Sequence, residues 1–334
     1  MKILHIVPEF EEGGVERYVL QLSGEQINNG HEVTLATAGG KLERFLPPEV
    51  KVIHLPVQRK NLFTVLYSAK RLAKLNDGWD IIHAHSRVPA WVAWILSVKI
   101  KTKWVMTLHA QYSHNLGLIP LRHADGAMCV SDAVRTAMKD YLPENNITIP
   151  NGINEIKYKW CGKKFPDNKK FLCVGRLTRK KAVDVILKAL GSLKNYEWTL
   201  DILGDGAQRE ELENLATELK IDNRVKFWGF RDDSEKFMSE AACLLFPSRS
   251  EGVGLVVLEA LTVGLPVLAS DLEPLRPYTL PPGNLIPVDD VDTWRENILR
   301  VINGGAAGNF STDKIISFKE TARRVEKFYL KTKK

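Results

Sequence analysis

Short apolar runs alternate with amphipathic stretches along almost the whole chain, a rhythm that predicts parallel β-strands separated by helices. Through the first 150 residues the apolar runs fall at 2–7, 32–37, 50–55, 81–84, 103–108, 126–130 and 147–149. Helical periodicity occupies 14–28, 62–75, 89–98 and 131–140 between them. Residues 150–168 are rich in Asn, Gly, Lys and Pro, lack an apolar period and read as a linker. A second series then predicts strands at 170–174, 198–203, 225–228, 243–246, 266–269 and 285–288, with helices at 181–194, 207–220, 232–240, 255–263 and 290–303. A helix over 312–331 closes the chain. The expected fold is α/β, with two Rossmann-like doubly wound domains, and 334 residues are indeed too many for one ordinary core.

One run carries more chemistry than the rest: FPSRSEGVGLVVLEALTVGLPVLASD, residues 246–271. It reads as strand, glycine-broken turn, helix from Leu255 ended by Gly264, and next strand. Gly252 and Gly254 let backbone approach a ligand, and the amides opening the helix make an anion site. Glu259 lies one turn along, on the face of those amides, and Glu251 sits in the turn. Two acids around an anion site fit a phosphate-bearing sugar. Arg176 and Lys181 follow the strand at 170–174, at the carboxyl edge where α/β sites form, and supply cations for an anionic ligand.

The spacing of Glu251 and Glu259 resembles the paired-glutamate motif of retaining glycosyltransferases with the GT-B fold, most closely glycosyltransferase family 4. Similar to that family, in its order, are VPEFEEGGVERYVLQL near the start, HAHS at 83–86, TLHA at 107–110, VS at 130–131, IPNGIN at 149–154, VGRLTRKKAVD at 174–184 and LGDG at 203–206. The resemblance implies two Rossmann-like domains facing across a cleft. Residues 1–150 with the last helix, 312–334, would form the acceptor-side domain, and 151–311 the donor domain. It further implies that Arg176 and Lys181 bind the donor diphosphate, that the Gly14 amide touches its phosphate, and that Glu259 holds the ribose. Glu251 would hold the donor sugar's hydroxyls, with the amides of Val253, Gly254 and Leu255 on sugar or phosphate. His109 would lie near the transferred sugar. Gly204 and the Gly229–Phe230 turn would pack on the base, with uracil favoured over guanine. Ser86 and Arg87 are the acceptor-side candidates. The chain departs from the family at Arg179, Lys180 and Ala182, where an acid commonly precedes the lysine and a glycine follows it.

No cofactor and no metal is expected, the nucleotide sugar being a substrate. Asp290-Val-Asp292 precedes a helical pattern and reads as an N-cap. His83, His85 and His109 lack an acid or cysteine at ligand spacing, and His5 carries no assignable role. Two other readings stay open: a nucleotide-sugar epimerase or hydrolase on the same fold, and a catalytically silent nucleotide-sugar-binding subunit. The second is opposed by intact Arg176, Lys181, Glu251 and Glu259.

Charge adds a partner. The net charge is +7, yet residues 59–103 carry nine Lys or Arg against two Asp, and residues 314–334 eight against two Glu. Nucleic acid is not expected, since neither an aromatic RNA-binding signature nor a helix-turn-helix pattern occurs. An anionic membrane face fits better. In the helix over 62–75, Leu62, Val65, Leu66, Ala69, Leu72 and Ala73 form the predicted buried stripe, with Phe63, Tyr67, Lys70, Arg71 and Lys74 on the adjoining face. Trp91 and Trp94 are expected in the core. The first apolar run is too short for a signal peptide, and the longest, 89–98, is half a bilayer span. Cys129, Cys161, Cys173 and Cys243 lack Cys-x-x-Cys spacing and fit reduced thiols. The expected place is the cytoplasm, peripheral to the inner face of the plasma membrane, with a glycan or lipid-linked glycan as acceptor.

Overall fold

The computed structural model describes residues 1–11, 13–159, 169–279, 285–308 and 310–333, so Cys161 and the second half of the predicted linker, from residue 160, lie outside the described residues. The chain divides into two compact units, Met1–Gly152 with Ile316–Lys334, and Ile153–Ile315.

The first unit runs β1 Lys2–Ile6, α1 Gly14–Asn28, β2 Glu32–Thr37, β3 Lys51–His54, α2 Leu62–Leu75, β4 Ile81–His85, α3 Arg87–Ile100, β5 Trp104–Leu108, β6 Gly126–Cys129, α4 Asp132–Met138 and β7 Asn146–Thr148. The strands form one sheet in the order β3-β2-β1-β4-β5-β6-β7, every pair parallel. Helices on a parallel sheet bury both its faces, which is why β4 and β5 are buried at every position. The strand order reverses between β1 and β4, and the loops leaving their carboxyl ends diverge there.

The second unit runs β8 Lys170–Val174, α5 Val183–Gly191, β9 Thr199–Leu203, α6 Arg209–Glu218, β10 Val225–Gly229, α7 Ser234–Glu240, β11 Cys243–Phe246, α8 Leu255–Thr262, β12 Val267–Ser270, β13 Leu285–Ile286 and α9 Val291–Ile302. Its parallel sheet has the order β10-β9-β8-β11-β12-β13, with the reversal between β8 and β11. Asp290 caps α9, accepting from the Thr293 amide at 3.0 Å and the Thr293 hydroxyl at 2.6 Å.

Four expectations need correction. The last helix, α10, is Phe318–Lys333 rather than 312–331. Ser317 stops it from starting earlier: its hydroxyl accepts from the Glu320 amide at 3.2 Å, the first half of a Ser-x-x-Glu capping box. Helix α5 begins at Val183, not at residue 181, because Ala182 takes the left-handed conformation at φ 52. In α2 the buried stripe is Val65, Ser68, Ala69 and Leu72, whereas Leu62 and Leu66 are 63% and 46% exposed. Helix α2 packs on α3, and the face it turns inward carries the small Ser68 and Ala69. That rotation leaves the bulkier Leu62 and Leu66 outside. Trp91 and Trp94 are only partly buried, their rings 5.5 Å apart, with Trp94 stacked on His123 at 4.4 Å.

Candidate active site

In the second unit the predicted donor residues gather on loops at the carboxyl edge of the sheet. Arg176 stands exposed just past β8, and Lys181 follows on the same loop. Lys181 Nζ donates to Glu251 Oε1 at 2.6 Å, with the two side chains 24% and 16% exposed. This ion pair joins the loop after β8 to the loop after β11, across the strand-order reversal. It also distinguishes Lys181 from its neighbour: Lys180 is exposed and its carbonyl accepts from the Arg249 amide.

Glu259 lies one turn into α8 and is 8% exposed. That helix opens without a side-chain cap, leaving Leu255 as its first residue and Gly254 before it at φ 79. A Cβ on Gly254 would also stand 2.9 Å from Leu275 Cδ2, so the turn admits no larger residue without movement. Val253 beside it is buried. Gly204, past β9, has φ 129, and a Cβ there would lie 2.0 Å from the Gly175 carbonyl oxygen. Its amide donates to the Gly229 carbonyl at 2.7 Å, which fixes the turn carrying the partly buried Phe230.

Sequence reasoning missed Arg249. Its guanidinium bonds Asp289 at 2.7 Å and Asp184 at 3.4 Å and also reaches the Arg179 carbonyl, so it braces the basic loop that presents Lys181. Its partners lie at 179–180, 184 and 289, too scattered for any local pattern to reveal.

The first unit places its candidates at the carboxyl edge too. Gly13 and Gly14 open α1 without a side-chain cap, and a Cβ on Gly14 would meet open space. Ser86 adopts φ 90 between β4 and α3, a strained conformation for a residue with a Cβ. Arg87 begins α3, its guanidinium 3.4 Å from Ser113 Oγ and 5.4 Å from the Tyr112 ring centroid. Ser86 and Arg87 line a pocket of about 250 Å³ with Glu9, Gln58 and Lys60. Lys60 and Gln58 had no signal of their own in the sequence.

His109 follows β5 and is not isolated. Its Nε2 is 3.1 Å from His85 Nδ1, and His85 Nε2 is 3.0 Å from His5 Nδ1. His5 Nε2 meets Gln26 Oε1 at 2.8 Å. His83 bonds the Tyr329 hydroxyl at 2.6 Å and Thr107 Oγ1 at 2.7 Å. Burial lowers these imidazoles, His5 to about 4 and His109 to about 3, and holds His83 and His85 well below the ordinary value, with mutual repulsion among the rings adding to the last two. They are neutral at pH 7. The ligand atoms of His5, His83 and His85 lie within 4.8 Å of one another, a metal-like cluster completed by the histidine with no assigned role. All six of those ring nitrogens already have a hydrogen-bond partner, which leaves no lone pair for a cation without rearrangement.

Two parallel α/β units, each with its candidate side chains at the carboxyl edge beside a strand-order reversal, define a Rossmann-type protein of the GT-B class. Sequence profiles then assign it further: "Glycosyltransferase Family 4" matches residues 12–156 and "Glycosyl transferases group 1" matches residues 155–320. The chain belongs to the group 1, family 4 glycosyltransferases. It is 25% identical to the UDP-Gal:alpha-D-GlcNAc-diphosphoundecaprenol alpha-1,3-galactosyltransferase of Escherichia coli, over 98% of this chain and 95% of that one. Among solved structures, sucrose-phosphate synthase from Thermosynechococcus elongatus shares the fold with a TM-score of 0.82 at 21% identity, covering 99% and 98% of the two chains. HepE from Anabaena, solved with UDP and glucose, matches with a TM-score of 0.76 at 20% identity over 100% of this chain and 97% of that one.

Proposed function

We propose that this glycosyltransferase moves a hexose or N-acetylhexosamine from a UDP-sugar onto a lipid-linked glycan of the cell envelope, with retention at the anomeric carbon and without a metal ion. The observation that carries the reading is the 2.6 Å pair between Lys181 and Glu251, set beside buried Glu259 at the uncapped start of α8. Each partner of that pair neutralises the other until a ligand separates them. A diphosphate draws Lys181 and the neighbouring Arg176, while Glu251 turns to sugar hydroxyls and Glu259 to the ribose. The anomeric carbon–oxygen bond to the diphosphate then breaks as the acceptor oxygen bonds to the same face. The acceptor's proton passes to a phosphate oxygen of the leaving UDP. Uracil is favoured because the Escherichia coli relative is named for UDP-Gal and HepE was solved with UDP.

On the acceptor side, Lys60 and Arg87 bring two cations to one pocket, which suits the phosphate of a lipid-linked acceptor. Exposed Leu62, Phe63, Leu66 and Tyr67 on α2, beside Lys70, Arg71 and Lys74, support a peripheral seat on an anionic bilayer. No helix among the described residues is long and apolar enough to cross a membrane.

The direct test offers radiolabelled UDP-sugars with a diphosphate-linked glycolipid acceptor and analyses the product's anomeric linkage. Acceptor-dependent transfer with retained configuration, insensitive to EDTA, is expected. Turnover of the donor without acceptor would favour an epimerase or hydrolase, and a trapped sugar ester on Glu251 would replace same-face attack with a covalent route.

A further inference from the structure

Three fully buried imidazoles behind His109 are more than a sugar-binding histidine needs for support. We infer that Gln26, acting through His5 and His85, sets the tautomer of His109, so that His109 carries its proton on Nε2 and offers a lone pair at Nδ1. This deepens the reading of His109 as a residue of the transfer site and makes Gln26, His5 and His85 positioning residues.

The geometry follows from the sheet. Parallel pairing of β1 with β4 puts His5 beside His83, and His85 lies two residues farther along the same face. Gln26 projects from α1 onto that face and is fully buried, as are His5, His83 and His85. A neutral imidazole has one N–H and one lone pair, so each ring in a file must donate at one nitrogen and accept at the other. A file of three such rings has only two fully bonded states, with every proton pointing one way or every proton pointing the other. No solvent reaches His5 or His85 to compensate for a broken link.

The end of the file selects the direction. Gln26 Oε1 can only accept, so His5 donates from Nε2 at 2.8 Å. His5 Nδ1 then accepts from His85 Nε2 at 3.0 Å, and His85 Nδ1 accepts from His109 Nε2 at 3.1 Å. The other end of the amide is engaged as well. Gln26 Nε2 donates to the Tyr329 oxygen at 3.4 Å, the Tyr329 hydroxyl donates to His83 Nδ1 at 2.6 Å, and His83 Nε2 donates to Thr107 Oγ1 at 2.7 Å. Turning the amide over would reverse both branches together, so each branch holds the other in register. The consequence for chemistry is a hydrogen-bond acceptor at His109 Nδ1, matched to a sugar hydroxyl and not to an anionic oxygen.

The test uses the whole protein labelled with ¹⁵N in histidine. Long-range ¹H–¹⁵N correlation at pH 7, with no substrate present, reads each tautomer, and single histidine substitutions assign the signals. Nε2–H on His5, His85 and His109 is expected. Gln26→Leu and His5→Phe should each give mixed tautomers at His109 and lower kcat several-fold. His5→Asn, whose Oδ1 replaces the accepting nitrogen, should keep the Nε2–H form at His85 and His109. Nδ1–H at His109 in the native protein overturns the inference, as does a His109 tautomer unchanged in both disruptive variants. Loss of the N–H signals of the buried rings on adding zinc would replace the relay with a metal site. If Gln26→Leu fails to fold, the native spectrum and His5→Asn still decide. Because no donor is present, failure of the transfer assay leaves this result standing, and the converse also holds.

Discussion

The two units solve the problem of polar chemistry at a sheet edge in opposite ways. The second unit uses charge, with Lys181 paired to Glu251 and Arg249 bonded to two aspartates, all partly exposed and all on loops except Asp184 in the first turn of α5. The first uses neutral rings: all eight histidines of the chain lie between residues 5 and 123, and three of them are wholly buried in one hydrogen-bonded cluster. Charged side chains on loops can exchange partners when a ligand arrives. Buried imidazoles with every nitrogen engaged hold one geometry. On the proposed function, the difference separates a donor-binding surface that must adapt from a histidine whose orientation must stay fixed.

The largest effects should come from breaking the charged side. Glu251→Gln should lower kcat/KM by about 100-fold or more, with little change in melting temperature because its partner is partly exposed. Lys181→Met should weaken UDP binding by about 30-fold or more, the loss of a charge-assisted bond of roughly 2–3 kcal/mol. Neither should alter the histidine tautomers.

Acid should separate the units next. His5 is held at about 4 in the folded chain, against roughly 6.5 unfolded. Its neutral burial therefore contributes stability fully above pH 6.5, and that contribution disappears as the pH falls toward 4, a change on the order of a few kcal/mol. Calorimetry between pH 7 and 4 should show the first unit losing stability, with no matching histidine-driven loss in the second, which has none. Equal loss in both would dissolve the contrast.

Smaller effects probe the backbone of the second unit. Gly254→Ala puts a Cβ at φ 79 and 2.9 Å from Leu275, and should cost about 1–3 kcal/mol in chemical denaturation. Ala182→Gly relieves a φ of 52 but removes a fully buried methyl, so it should change stability by no more than about 1 kcal/mol.

Much of the second unit was legible in the sequence. The run from Phe246 to Asp271 spelled out strand, turn, helix and strand, and the structure puts α8 at its predicted start, Leu255. Local pattern suffices there because the turn, the helix start and both acids lie within one short segment. The pairing of Lys181 with Glu251 was hidden, since it spans 70 positions and depends on β8 lying beside β11. The Arg249 brace was hidden for the same reason. In the first unit His5 and His83 could be placed on their strands, but His5 showed no role, because its partners arrive only when β1 pairs with β4 and α1 packs above them. The outward turn of Leu62 and Leu66 was misread because periodicity shows that a stripe exists and not which way the helix is rolled.

Isothermal titration of UDP and of GDP into the native protein and into Lys181→Met tests the donor assignment most directly. Binding of UDP in preference to GDP is expected, weakened about 30-fold or more in the variant and restored in part by Lys181→Arg. An affinity for UDP indifferent to residue 181, or the absence of binding by either nucleotide, would contradict it.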